Sequence, residues 1–182
     1  MRKSSSLILE EEIFKGNLLD IGMENYGIMY NAYKQLNDEV SIDYVSGREE
    51  ECVIRHDYYD NCILLFSLNK ILLKKNKRKL IQEIYKYLKI DGNLYIWDID
   101  KGSKKTCNCN IKIETPDKKI KEIIIKDMNI FKDNSKKNTL NLLKSYFEVI
   151  DFKEKNGLYY IRATKIERKK GANESGVGCS KC

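Results

Sequence analysis

Asp20 and Gly22 close a short apolar run that begins at Leu18, and these two residue types together can build a ligand site. A carboxylate accepts hydrogen bonds from hydroxyl or ammonium groups, and a glycine lets the backbone turn sharply and approach a ligand closely. Apolar residues then recur at helical spacing, at Ile28, Met29, Ala32, Tyr33 and Leu36. The amino end of this helix would face the ligand, as it does in sites for nucleotide-type cofactors.

The elements that would position such a site follow in order along the chain. A second apolar run extends from behind Asp60 to Leu68, which is typical of a strand buried on both faces of a parallel sheet. An amphipathic helix comes next, with one apolar face formed by Leu80, Ile81, Ile84, Tyr85 and Leu88. We expect Gly92 to end this helix and to start a strand that runs to Asp98. Strands that alternate with helices predict an α/β fold.

The C-terminal part predicts a helix behind Ser135 and then a β-hairpin. The hairpin strands would be residues 147–152 and 158–165, joined by a turn that contains Asn156 and Gly157, a pair typical of tight hairpin turns. An insertion at about residues 107–127 alternates apolar with charged residues, so a second antiparallel hairpin is predicted there. That insertion would either cover a substrate or shield an edge of the sheet.

This succession resembles the class I S-adenosylmethionine-dependent methyltransferase family. Asp20-Ile-Gly22 matches the acid and first glycine of the family's opening motif, while Glu24 and Tyr26 stand where the next two glycines fall. The segment 88–93 matches the family's Leu-Lys-x-Gly-Gly, which precedes its fifth strand, except at the last glycine. The resemblance covers roughly residues 18–165. It implies a Rossmann-like, doubly wound, mostly parallel sheet with a C-terminal antiparallel hairpin, shortened between the first helix and strand four.

The resemblance also implies a cofactor, S-adenosylmethionine, and the residues that would bind it. The backbone from Gly22 to Gly27 would cradle the methionine end, Asp20 would order that loop or meet the cofactor ammonium, and Asp43 would bind the ribose hydroxyls. Phe66 and Ser67 would line the opposite wall. The expected cofactor-binding residues are Asp20, Gly22, Glu24, Asn25, Gly27, Asp43, Phe66 and Ser67. No catalytic residue is assigned, because methyl transfer from a sulfonium needs mainly alignment of the reacting atoms.

The short segment before Asp60 admits two interpretations, since it is too short for the two strands and the helix of a full sheet. In the first, residues 40–45 form a strand beside the opening strand, which supplies Asp43 to the ribose. In the second, residues 42–51 form the family's third strand, Arg48 replaces the adenine-contacting acid, and the ribose-binding strand is absent. Two functions therefore stay open: a methyltransferase with an unidentified acceptor, or a catalytically inactive relative that binds protein or RNA.

The formal net charge of +7 raises the question of nucleic acid. The densest basic cluster is Lys74, Lys75, Lys77, Arg78 and Lys79. We interpret it as the solvated face of a helix, so nucleic-acid binding is not favoured. No apolar run is long enough to span a membrane, and no signal segment is evident, which indicates a cytoplasmic protein.

Composition and two cysteine pairs bear on the domain organisation and on metal binding. Residues 1–167 are predicted to form one domain, and the polar segment 168–182 is predicted to be a disordered tail. Two closely spaced pairs, Cys107 with Cys109 and Cys179 with Cys182, could supply four thiolates to zinc. The Cys-x-Cys spacing and the place of the second pair in the tail argue against this site, so no metal is expected.

Overall fold

The computed structural model describes residues 3–22, 28–36, 42–45 and 54–167. Within these ranges the strands are β1 (Lys3–Ile8), β2 (Leu18–Ile21), β3 (Ile42–Val45), β4 (Tyr59–Leu65), β5 (Leu88–Ile99), β6 (Cys107–Glu114), β7 (Ile120–Asp127), β8 (Phe147–Lys155) and β9 (Leu158–Lys165). The helices are α1 (Ile28–Leu36), α2 (Lys74–Tyr87) and α3 (Lys136–Leu143). Glu24, Asn25, Gly27, Arg48 and the predicted tail lie outside the described residues.

The larger sheet is mixed, with the strand order β3-β2-β4-β5-β9-β8. The first four of these strands are parallel, whereas β9 runs antiparallel to both β5 and β8. Asn156 and Gly157 join β8 to β9 with φ values of 52° and 81°. Two successive positive φ angles are what a tight hairpin turn requires, so the predicted C-terminal hairpin is confirmed. The predicted α/β class is also confirmed.

Helices cover both faces of this sheet. Successive strand residues point to opposite sides, and apolar residues stand on both sides. Leu18 packs into one apolar core together with Met29 of α1, whereas its neighbour Leu19 packs into the other with Ile81 of α2 and Leu143 of α3. All five of these side chains are fully buried. A strand buried on both faces has mostly apolar residues on both sides, and this explains the largely apolar runs in the sequence.

A second sheet consists of β1, β6 and β7. The insertion forms the antiparallel pair β6–β7 as predicted, and β1, for which no strand was predicted, runs parallel to β6. Alternate residues of β6, from Cys107 to Ile113, face the core that contains α1. The insertion therefore does not extend an edge of the larger sheet, but packs over the face that α1 also covers.

The role predicted for Gly92 is wrong. Helix α2 ends at Tyr87 and β5 begins at once at Leu88, so Gly92 lies inside the strand. The register between β4 and β5 shifts here, and Asp91 takes the positive φ of 62°. A Cβ at position 92 would lie 2.9 Å from the carbonyl oxygen of Lys89. Glycine is thus needed for close backbone packing in an irregular strand, not for ending the helix.

Candidate functional site

Strands β2 and β4 are parallel, so their carboxyl ends meet at one edge of the sheet, where ligands bind in open α/β sheets. Gly22 directly follows β2, and Phe66 and Ser67 directly follow β4. The Ser67 hydroxyl donates a hydrogen bond of 2.6 Å to the carbonyl oxygen of Ile21, and Ser67 is fully buried. The structure thus brings together three of the predicted site positions, Gly22, Phe66 and Ser67, at what we call the carboxyl edge.

Asp20 lies in β2 two residues before the end of the described segment and is fully buried. The register places it beside Ile63 of β4, on the face that α1 covers. Burial raises the pKa of the neighbouring Cys62 thiol, and the negative charge of Asp20 raises it further. A buried carboxylate is costly unless polar or cationic groups compensate it, so its position here suits a structural or ligand-binding role.

Phe66 makes a strained turn where β4 ends. Its φ of 56° lies in the left-handed region, which costs a residue with a side chain about 1 to 2 kcal/mol. Its backbone amide donates a hydrogen bond of 2.8 Å to the Trp97 carbonyl, which fixes the turn against β5. Such strain persists only where surrounding contacts hold it, and it concentrates at ligand-binding positions.

Strand β3 pairs with β2 in parallel, which agrees with the interpretation that places this segment beside the first strand. Asp43, however, lies opposite Leu19, one position before the residue opposite Asp20. Its carboxylate accepts a hydrogen bond of 2.5 Å from the Tyr59 hydroxyl and lies 3.7 Å from the Arg55 guanidinium. Burial, followed by the bond to Asp43, raises the pKa of Tyr59. The structure therefore does not bring Asp43 together with Gly22.

Another buried acid, Asp98, which was not among the predicted site residues, lies one residue before the end of β5. Asp98 is fully buried and accepts hydrogen bonds from the backbone amide of Asn69 at 2.9 Å and from its side-chain amide at 3.0 Å. Burial raises the pKa of the Asp98 carboxyl. The signal was present in the sequence, because Asp98 follows an apolar run just as Asp20 does.

Buried lysines hold the segment 127–135 against the end of β5 through hydrogen bonds. Lys77 is 4% exposed and donates to the Asn134 side chain at 2.7 Å, and Asn134 donates in turn to the carbonyl of Ile99 at 3.0 Å. Burial lowers the pKa of Lys77. Assigning the whole basic cluster to a solvated face is therefore wrong for Lys77. Its spacing of four residues from Ile81, on the apolar face of α2, is the signal that could have shown this.

The first cysteine pair faces the core of the smaller sheet. Cys107 and Cys109 are buried, with their sulfur atoms 2.8 Å apart, while Cys179 and Cys182 lie outside the described residues. In the part of the chain that the structure describes, no three or more His, Cys, Asp or Glu side chains group to hold a metal ion. Within those same ranges, no helix combines the length and apolar character needed to cross a membrane.

Comparison with known proteins gives structural similarity without sequence similarity. No protein-family model matches the sequence. No curated protein matches it either. Among solved structures, the chain is similar to an S-adenosylmethionine-dependent methyltransferase from Methanosarcina mazei, with 13% identity, 92% of this chain and 94% of that chain covered, and a TM-score of 0.51.

Two further solved structures give the same result. An S-adenosylmethionine-dependent methyltransferase from Mesorhizobium loti shows 10% identity, coverage of 90% of each chain and a TM-score of 0.51. The N-methyltransferase NodS from Bradyrhizobium japonicum shows 10% identity, coverage of 84% of this chain and 86% of that chain, and a TM-score of 0.50. At these identities the similarity shows a shared fold.

Proposed function

We propose that this chain, which has the fold of the S-adenosylmethionine-dependent methyltransferases, binds S-adenosylmethionine at the carboxyl edge and transfers its methyl group to an acceptor. The main supporting observation is the fully buried Asp20, which lies in β2 two residues before Gly22, on the edge where Ser67 holds β2 and β4 together. A carboxylate in this place suits the cofactor's ammonium group, and a glycine turn suits close backbone approach.

We assign residues to the cofactor from the position of Asp20, Gly22, Phe66 and Ser67 and, for the segment after Gly22, from the family resemblance alone. Asp20 orders the turn or pairs with the ammonium, and the backbone from Gly22 onward holds the methionine end. The assigned set is Asp20, Gly22, Glu24, Asn25, Gly27, Phe66 and Ser67. We leave Asp43 out, because its carboxylate already accepts a hydrogen bond from Tyr59 and lies opposite Leu19.

When bound, the cofactor supplies an electrophilic methyl group: the acceptor's lone pair forms the new bond, the sulfur keeps the electrons of the broken bond, and the acceptor's proton passes to water. The protein's own contribution is position. Strand ends joined by Ser67 and a turn fixed by Phe66 supply a rigid platform. Alignment of this kind can provide most of the acceleration of a methyl transfer, and no residue needs to act as a base.

A second candidate is a catalytically inactive relative that binds a protein or RNA partner. It is favoured by one observation, the engagement of Asp43 by Tyr59 and Arg55, because this removes the acid expected to bind the ribose. Such a protein would keep the fold without the cofactor.

Isothermal titration calorimetry with S-adenosylmethionine and S-adenosylhomocysteine separates the two candidates. We expect saturable binding of both at submillimolar concentration, and no comparable binding of methionine alone. An absence of heat at millimolar cofactor, with the protein shown to be folded by circular dichroism, would exclude the methyltransferase and leave the binding protein.

A further inference from the structure

A cavity of about 190 Å³ lies between β1, the end of β5 and the start of β9. We call it the aromatic cavity. Its apolar and aromatic walls are formed by Ile8, Ile13, Phe66, Trp97, Leu158 and Tyr160. The rings of Trp97 and Tyr160 lie 5.0 Å apart between centroids, and Tyr95 stacks on Trp97 at an interplanar angle of 11°. The indole orientation is therefore fixed by its neighbours.

The size of the aromatic cavity limits its ligand. An apolar protein cavity of about 150 Å³ is known to admit benzene, so this one has room for roughly one ring with a short substituent. One wall is open, because Ile8 is 62% exposed although it lines the same space as Trp97, which is 7% exposed. A small molecule can thus enter from the side of β1 without unfolding the core.

The aromatic cavity lies next to the carboxyl edge. Trp97 is aligned with Leu65 of β4 and with Tyr160 of β9, while Asp20, two residues before Gly22, is aligned with Ile63. Two strand spacings, about 10 Å, separate the Gly22 and Trp97 positions across the sheet. Phe66 connects the two places, since it follows β4 at the carboxyl edge and also lines the cavity.

Polar groups are confined to the rim of the cavity. Glu10 contributes an exposed carboxylate that can accept a hydrogen bond from a hydroxyl or an amine. The Lys153 ammonium lies 5.3 Å from the centroid of the Tyr160 ring and pairs with Asp151 at 3.0 Å. Apolar aromatic walls with a few polar groups at one side are the usual composition of a small-molecule site.

We propose that the aromatic cavity binds the methyl acceptor, and that this acceptor is a small aromatic molecule of about one ring that carries a hydroxyl or amine. This inference rests on the proposed function. It adds to it a substrate class and names Trp97 and Tyr160 as the residues that select for a planar ring.

The test uses Trp97 as a reporter, because it is the only tryptophan in the chain. Protein labelled with 5-fluorotryptophan gives one ¹⁹F resonance, which is followed during titration with 4-ethylphenol and with its saturated counterpart, 4-ethylcyclohexanol. We expect 4-ethylphenol to shift the resonance saturably at millimolar concentration. The saturated alcohol should bind roughly threefold to tenfold more weakly, since it cannot make ring-to-ring contacts.

Two variants of β1 form a matched pair. Ser6 lines the aromatic cavity, whereas Ser4, also exposed and on the same side of the strand, does not. Ser6→Phe should fill the entrance and abolish the shift caused by 4-ethylphenol, and Ser4→Phe should leave it unchanged. No shift in the wild type, equal binding of the two alcohols, or equal behaviour of the two variants would overturn the proposal.

Binding at the proposed cofactor site is measured separately, by calorimetry with S-adenosylhomocysteine on the same samples. Separate sites without coupling predict that a saturating amount of S-adenosylhomocysteine changes the apparent Kd of 4-ethylphenol by less than about threefold, because such a change measures the coupling between the sites. Displacement of 4-ethylphenol would make the cavity part of the cofactor's own site and would overturn the inference. An absence of S-adenosylhomocysteine binding would refute the proposed function, and with it the acceptor role, even if 4-ethylphenol still binds.

Discussion

The Ser67 hydroxyl and the Ile21 carbonyl, 2.6 Å apart, connect the carboxyl ends of β4 and β2. Both residues are buried, so the bond is shielded from water. Its donor is the side chain of the residue after Phe66, and its acceptor lies one residue before Gly22. This contact therefore joins the two walls of the proposed cofactor site beyond the last paired residues of β2 and β4, Asp20 and Ile63.

Ser67→Ala should lower the free energy of unfolding by about 1 to 2 kcal/mol, because a buried carbonyl loses its donor. It should also weaken binding of S-adenosylhomocysteine several-fold, since the two strand ends are no longer held together. Denaturant unfolding and calorimetry measure the two effects. Thr139→Val is the matched control. It deletes another buried hydroxyl, which is hydrogen-bonded to Tyr159 at 2.8 Å, and it should reduce stability without weakening the binding of S-adenosylhomocysteine. Equal loss of affinity in both variants would contradict a specific role for Ser67.

Gly22→Val should abolish binding of S-adenosylhomocysteine, because a branched side chain at the buried end of β2 would occupy the space that the ligand needs. Calorimetry is the measurement, with circular dichroism to verify the fold. Gly102→Val is the control, since a Cβ at Gly102 meets no atom within 4 Å. Undiminished binding by the Gly22 variant would place the cofactor elsewhere.

Asp43→Asn tests whether this carboxylate stabilises the fold or binds the ribose of the cofactor. Its loss weakens the hydrogen bond with Tyr59, so we expect a stability decrease of about 1 to 2 kcal/mol and unchanged affinity for S-adenosylhomocysteine. Tyr59→Phe removes the same bond from the other side and should produce a similar decrease. A tenfold weaker cofactor affinity in the Asp43 variant alone would restore the ribose-binding role expected from the family resemblance.

Asp127 should make the stability of the protein dependent on pH in the acid range. Burial alone would raise the pKa of its carboxyl, but bonds from Lys132 and the Asn129 amide, with the charge of Lys101, hold that pKa below 3.8. A lowered pKa stabilises the folded state above pH 3.8, and this contribution disappears as the pH falls through the folded-state pKa.

Asp127→Asn should accordingly lower the free energy of unfolding at pH 7 by about 3 kcal/mol, because it leaves the buried Lys101 without its charge partner. Below pH 3.8 the difference from the wild type should narrow. Lys112→Gln is the control, since the Lys112–Glu122 pair is half exposed and such pairs contribute less than about 1 kcal/mol. A stability difference that stays constant down to pH 2 would contradict the assignment.

The sequence was sufficient where structure is specified locally. The apolar residues on either side of Asp20 and the apolar run behind Asp60 predicted β2 and β4, because strands buried on both faces are mostly apolar. Asn156-Gly157 predicted the hairpin turn, because these residue types adopt positive φ easily. The predicted position of the candidate site depended on the same local features.

What the sequence could not supply depends on contacts between distant residues. The partner of Asp43 is Tyr59, which comes close only when β3 and β4 take their places on either side of β2. The aromatic cavity combines β1, β5 and β9, whose residues show no common pattern. Strand β1 itself contains three consecutive serines, which are not typical of strands, and it is stabilised by pairing with β6.

The pairing of Lys3 with Cys109 also affects the order in which the chain folds during its synthesis. On the ribosome β1 emerges before its partner strand β6, which follows about a hundred residues later, so at about 5 to 20 residues per second β1 waits for several seconds or longer. Closing so long a loop is slow, because its entropy must be lost before any contact compensates. The wall of the aromatic cavity that β1 supplies is therefore expected to be added late, after the larger sheet has begun to form.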